Sequence, residues 1–252
     1  MSNFFGVFFS SFFFLLFGAC QQIGEQQESV AFFQLTGSIP VPKGYERIKA
    51  DSGSFAYWLR HIRLKEDNHV YLYNGSLKEN QSAHFAVLDI PVGQRDLQQC
   101  ADAVMRLRSE YLFEQKRYHE IVFFDNNRKE YRWTGKEDRA AFEKYLMNVF
   151  NWCGTASLEN QLKEVRDINE IKAGDVFIRG GYPGHAMIVT DVAINDAGKK
   201  IFMLAQSYMP AQDIHIVRNP LDDQLSPWYE AGSAEMVTPE WVFRADQLKQ
   251  WE

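Results

Sequence analysis

Cysteine is scarce in this chain: three among 252 residues, one of them at position 20. Three thiols with one in the leader make no disulfide framework. Blocks of like charge are missing too. Lys and Arg total 27 and Asp and Glu 33, with the two signs interspersed. No basic face stands out, so nucleic acid is not an expected partner. There is no internal repeat, no low-complexity segment after the first 36 residues and no linker beyond them, which argues for one domain over 37–252. What the chain does have is apolar mass, 46% of residues with 15% aromatic, enough for a substantial core.

The first 20 residues, MSNFFGVFFSSFFFLLFGAC, carry no charged side chain. The apolar run Phe4 to Phe17 falls short of the roughly 20 residues that a spanning helix needs and suits the h-region of a secretory signal. Leu16-Phe17-Gly18-Ala19-Cys20 resembles a bacterial lipobox, in which cleavage before the cysteine leaves its thiol to carry diacylglycerol. That resemblance implies a signal peptide over 1–19, lipidation of Cys20 and a polar tether over 20–36. It implies a domain anchored through lipid to a membrane of the bacterial cell envelope, facing the periplasm or the surface. Each buried lipid methylene contributes about 0.8 kcal/mol to such an anchor. A plain secretory signal or a membrane anchor is the alternative.

The stretch from Ala173 to Tyr208 organises the rest. Three apolar runs, Val176 to Ile178, Ala186 to Ile194 and Ile201 to Ala205, are short and bounded by Gly, Pro, Asn or Asp. They read as adjacent antiparallel strands. His185 opens the second, behind a Gly-Gly-Tyr-Pro-Gly loop that allows close backbone approach. If Asn195 opposes Gly198 across the turn, His185 opposes Tyr208 and Met187 opposes Gln206. Gln206 is then a diagonal neighbour of His185 on the same face, within reach of the imidazole N–H. Ser207 faces the other way, and Asp191 lies about 20 Å along the strand.

Upstream, Ser54 to Arg63 reads as a short helix, Val70 to Tyr73 with Asn74-Gly75 as a strand and turn, and His84 to Ile90 as a strand. Asp96 reads as the N-cap of an amphipathic helix with Leu97, Cys100, Ala101, Val104, Leu107 and Tyr111 on one stripe and Arg106 and Arg108 off its centre. Cys100 then stands at the end of the first turn. Ile121 to Phe124 reads as a strand, Asn126 to Gly135 as a polar loop, and Lys136 to Trp152 and Ser157 to Val165 as helices. Ile214 to Val217 is the last clear strand, and residues 219–252 read as a tail that wraps the domain.

A thiol near a helix N-terminus is favoured as thiolate, and a histidine held close takes and returns a proton while a third polar group fixes its ring. Cys100, His185 and Gln206 supply that order. Cys100 is equally readable as a core cysteine, His185 as a histidine bound to a backbone carbonyl, and Gln206 as a polar strand end. Cys153, beside Trp152 and Gly154, reads as packing, with nucleophile as its alternative. His185 and His215 lack a third ligand at helpful spacing, so no metal and no cofactor is expected. Tyr182, Tyr208, Trp228 and Tyr229 are candidates for a groove that takes sugar or peptide.

The cysteine at a helix start, then Gly-Asp-Val-Phe-Ile (174–178), then Gly-His-Ala-Met-Ile-Val (184–189), then a strand ending in a polar residue resemble the papain-like NlpC and CHAP peptidases and amidases of bacterial cell walls. From about Pro40 to Trp241 the chain resembles an uncharacterised family of bacterial lipoproteins known only as a domain of unknown function. DLQQCADAVMRLRSEYL, GDVFIRGGYPGHAMIV and LAQSYMPAQ carry that likeness. The first resemblance implies an α+β fold of papain-like, NlpC type, an antiparallel sheet packed on helices. Residues 121–165 are then an insertion, since Cys100 and His185 stand 85 positions apart. It implies a membrane-anchored thiol hydrolase, an amidase or peptidase on cell-wall peptide or a related amide. Cys100 is then nucleophile, His185 base and then acid, Gln206 its orienter, and the Cys100 N–H with Gln98 or Gln99 holds the oxyanion. An acyltransferase using the same thiol fits equally, and a non-catalytic envelope lipoprotein that binds wall peptide or glycan is the alternative.

Overall fold

The computed structural model describes Met1 and residues 33–252. The leader, Cys20 and most of the tether lie outside the described residues. The tether's last residues already belong to the fold: Leu35 bridges Arg63, and Thr36 is buried with its hydroxyl on the Ile62 carbonyl. The domain therefore begins by residue 35 rather than 37.

In chain order, β1 (Tyr45–Arg47) leads to helix α1 (Phe55–Arg60), capped by Ser54, whose hydroxyl accepts from the Tyr57 N–H. Strand β2 (His84–Val87) precedes helix α2 (Cys100–Glu114). A hairpin of β3 (Val122–Phe124) and β4 (Glu130–Arg132) follows, its second strand lying in the stretch read as polar loop. Helix α3 (Arg139–Trp152), capped by Asp138, runs into α4 (Thr155–Gln161) and β5 (Lys163–Glu164). The central strands are β6 (Val176–Arg179), β7 (His185–Asn195), β8 (Lys200–Gln206) and β9 (His215–Val217). The tail is built into the fold. It contributes β10 (Trp228–Glu230), the hairpin β11 (Glu235–Val237) and β12 (Val242–Arg244), and β13 (Leu248–Gln250).

Nine strands form one antiparallel sheet in the order β2-β9-β8-β7-β6-β13-β5, with β1 on the far end of β7 and β10 on β8. Both faces are covered. Ile188, Met203 and Ala205 face the helices with Val104, Leu107, Phe142 and Leu146. Met187, Val189, Phe202 and Leu204 face a second core with Phe177 and Phe243. Burial on both sides explains why β7 and β8 are continuous apolar runs rather than alternating ones.

The β7–β8 turn differs from expectation by one residue. Asn195 pairs with Lys199 through its N–H, and Gly198, at φ +79°, fills the left-handed position of a three-residue loop. A bulge between Val189 and Asp191 then restores the anticipated register, so Ile188 opposes Ala205 and Val189 opposes Leu204.

Helix α2 packs on β7 and β8 and against α3. It is hidden nearly all round, so Arg106 is buried rather than off the stripe. Its guanidinium meets Glu110 at 2.8 Å and Glu143 at 3.0 Å, tying α2 to α3. Such a pair persists in the interior because both charges are answered.

Candidate functional site

The helix that carries Cys100 begins later than Asp96. Residues 95–99 form tight turns, Gln99 is the N-cap, and its N–H donates to Asp102 Oδ2 at 3.0 Å. Cys100 is thus the first helical residue, not the end of the first turn. Asp96 instead accepts the Ala211 N–H at 2.7 Å and the Gln99 amide at 3.0 Å. The Ser207 hydroxyl lies 2.7 Å from the Gln98 carbonyl. These contacts clamp the segment before the thiol onto the end of β8, next to Gln206.

His185 opens β7 opposite Arg179. The loop before it needs Gly184: a Cβ there would stand 2.4 Å from the Gly181 carbonyl oxygen and 2.6 Å from Thr155 Oγ1. The imidazole is 1% exposed. It is walled by aromatic rings, with centroids of Tyr208 at 4.9 Å, Trp241 at 5.3 Å and Phe243 at 5.8 Å.

Its hydrogen bonding follows from what each neighbour can donate. His185 Nε2 lies 2.8 Å from Gln206 Oε1. Gln206 Nε2 lies 2.7 Å from Glu240 Oε2 and 3.2 Å from His215 Nε2. Lys78 Nζ donates to the same Glu240 oxygen at 2.7 Å. A carboxylate only accepts, so the amide nitrogen must face Glu240 and the amide oxygen must face His185. His215 Nδ1 sits 2.9 Å from the Asp213 carbonyl, another pure acceptor, which leaves His215 Nε2 to accept the second amide hydrogen. His185 therefore carries its proton on Nε2 and keeps its Nδ1 lone pair. The tip of the β11–β12 hairpin delivers both Glu240 and Trp241 to this network.

Cys100 and His185 line one cavity of about 340 Å³, together with Gln99, Tyr182, Tyr208 and Cys153. The Ala101 and Ala186 backbone N–H groups bear on the sulfur. Burial nevertheless dominates, and with Asp102 beside it the Cys100 thiol is pushed up to about 11. The expected thiolate is thus corrected: burial outweighs the helix N-terminus. Burial likewise lowers His185 to about 4, with the Gln206 contact raising it and Lys78 lowering it further. At neutral pH the pair is a neutral thiol and a neutral imidazole. Cys153, at the end of α3, is pushed up to about 12, first by burial.

The remaining candidates separate. Gln98 is wholly buried and does not line the cavity; its amide oxygen lies 3.3 Å from Arg106 Nη1, while its amide nitrogen has no partner among the described residues. Gln99 lines the cavity while its amide holds Asp96. Tyr182, 97% exposed, and Tyr208 form the mouth. Trp228 and Tyr229 are core rather than groove residues; the Trp228 indole donates to the Pro40 carbonyl. Among the described residues no three His, Cys, Asp or Glu side chains are grouped to hold a metal, and no helix is long and apolar enough to cross a membrane. Glu240, Lys78 and Trp241 escaped the sequence reading, because each joins the His185 network across a large separation with no local pattern to mark it; His215, considered above only as a metal ligand, instead accepts from the Gln206 amide.

The family described as "Domain of unknown function (4846)" matches residues 35–136 and 124–250. No curated protein and no solved structure matches the chain. With its two matched segments running from residue 35 to residue 250, the chain belongs to this family.

Proposed function

We propose that this protein is a thiol hydrolase of papain-like type, an amidase or peptidase acting on cell-wall peptide or a related amide. We place it at the bacterial cell envelope, where a lipid on Cys20 and the tether behind it would hold the domain on a membrane. The observation that carries the reading is one cavity lined by a thiol at the first position of a helix and by an imidazole whose Nε2 is fixed by Gln206. The helix set against an antiparallel sheet supports the papain-like fold, with residues 121–165 as an insertion between thiol and imidazole.

The chemistry follows from the protonation states. The Cys100 sulfur attacks the carbonyl carbon while His185 Nδ1 takes the thiol proton. The imidazolium is stabilised by its Nε2–H on Gln206. The oxyanion is received by the Cys100 backbone N–H, which at rest bears on its own sulfur at the helix start, and by the Gln99 amide after release from Asp96. His185 returns the proton to the departing amine as the C–N bond breaks, leaving a thioester. Water then attacks the thioester with His185 as base and regenerates the thiol. Cys100→Ala is expected to abolish release of amine from peptidoglycan fragments, and His185→Ala to slow it at least about 10²-fold. Wild-type turnover in both variants would end this reading.

One observation favours the second reading, a non-catalytic lipoprotein that holds wall peptide or glycan. The thiol is buried and strongly protonated at rest. Fragment binding without any turnover by the unaltered chain would select it.

A further inference from the structure

Arg108 stands two turns along α2 from Cys100, about 12 Å further at helical rise. It lines a separate cavity of about 300 Å³ that shares no residue with the thiol cavity. Arg108 is half-buried. Its guanidinium carbon lies over three aromatic rings, 5.1 Å from the centroid of Phe55, 5.4 Å from Trp251 and 5.5 Å from Tyr111. Ring faces attract the cation, but they offer its in-plane N–H groups no lone pair. No acceptor among the described residues takes a hydrogen bond from it, yet its nitrogens are not sealed in: they keep accessible surface. The other arginines packed on this helix are answered. Arg106 meets Glu110 and Glu143, and Arg139 meets Glu110.

The rest of the wall says what would answer Arg108. Its two acids are engaged elsewhere. Glu120 gives one oxygen to Arg117 Nε at 2.6 Å and the other to Arg117 Nη2 at 2.5 Å. Glu252 takes Lys163 Nζ at 2.9 Å. Much of the remaining surface is apolar, with Leu112, Val122, Phe124 and Trp251. A neutral ligand would leave the guanidinium unanswered. A phosphate dianion would set two further charges beside two carboxylates, and its hydrated oxygens gain nothing from apolar walls. One carboxylate matches one guanidinium in charge and in its planar, two-pronged geometry.

We propose that this second cavity binds a monocarboxylate with an apolar body, its carboxylate on the N–H edge of Arg108 and its chain against Leu112, Val122 and Trp251. The rings hold the guanidinium in place, so little side-chain freedom is lost on binding. Burial lowers Arg108 from its ordinary value, as expected of a charge short of both water and a partner, while a guanidinium still keeps its proton at neutral pH. The site goes beyond the hydrolase reading and does not depend on it.

The test uses the full, unaltered chain with 3-phenylpropanoate and 3-phenylpropan-1-ol, which share the apolar body and differ in the carboxylate. Calorimetry at neutral pH is expected to show the acid bound at least about tenfold more tightly. Equal affinity overturns the proposal. Phenylglyoxal, which modifies accessible guanidinium groups, locates the site without any substitution. Peptide mapping should find Arg108 modified in the free chain and protected by the acid but not by the alcohol. Arg108 modified equally in the presence of the acid overturns the proposal. Arg108→Gln removes the charge and is expected to erase the preference for the acid, and a preference that survives it overturns the proposal too. Inorganic phosphate is the third probe: if it binds more tightly than the acid and is lost in Arg108→Gln, the carboxylate assignment is overturned. None of these readouts involves Cys100 or turnover, so this site and the hydrolase reading stand or fall separately.

Discussion

At the scale of single residues, the account turns on how burial sets two protonation states. Cys100 stands where helix geometry favours thiolate, yet loss of water around the sulfur costs more than the N-terminal partial charge returns, and the thiol is pushed up to about 11. His185, lowered to about 4, is neutral throughout the physiological range. A thiolate–imidazolium pair would lose activity as its thiolate is protonated. A neutral pair fails in acid only when His185 itself takes a proton. Hydrolysis should therefore stay level from about pH 5 to 8 and fall along a limb near pH 4 in kcat/KM. A limb near the unperturbed histidine value of about 6.5 would show that water reaches the ring in a way the aromatic wall does not allow. Glu240 acts one step back: it cannot donate, so it orients the Gln206 amide, and the amide selects the His185 tautomer.

At the scale of elements, the site is made where the loop before β7, the start of α2 and the tip of the β11–β12 hairpin meet. The loop has no slack. Gly184→Ala would drive a Cβ against the Gly181 and Arg179 carbonyls, so backbone must move. The expected cost is about 1–3 kcal/mol of stability, with loss of turnover as His185 shifts. Asp138→Ala removes the α3 cap at a cost of about 1 kcal/mol and should leave turnover intact. Urea unfolding alongside rate measurements on both variants separates a defect of the site from one of the frame. The placement of His185 beside Gln206 was legible from strand alternation, although by a route with two compensating features. The turn holds one residue more than the sequence reading allowed, and the bulge at 189–191 absorbs it. Bulges and loop types depend on packing that no local pattern records. The start of α2 was misread because Asp96, a good cap by type, is engaged by Ala211 more than a hundred positions away. The tail was read as a wrapping because its strands are three residues long, too short for a periodic signal.

At the scale of the whole molecule, three histidines are folded in their neutral form. His84, His185 and His215 are all lowered, in each case chiefly by burial. In acid the unfolded chain binds protons at these positions before the folded chain does. Their contribution is therefore complete above about pH 6.5 and lost as pH falls, for His185 down to about 4. Asp102 and Asp175 pull the other way, since burial raises both and the folded chain keeps their protons as pH rises. A difference measurement isolates one group. His185→Gln should flatten the fall in stability between pH 6.5 and 4 by on the order of 2–3 kcal/mol, read from urea midpoints. An unchanged slope would mean that the ring is not buried neutral.

The central claim is that Cys100 becomes acylated with His185 as its base. The most direct measurement is the mass of the full chain quenched in acid while it acts on a peptidoglycan fragment, followed by mapping of the modified peptide. The account predicts the acyl fragment on Cys100, diminished in His185→Ala and absent in Cys100→Ala. Turnover with no adduct on Cys100, or with the adduct on Cys153, would contradict it.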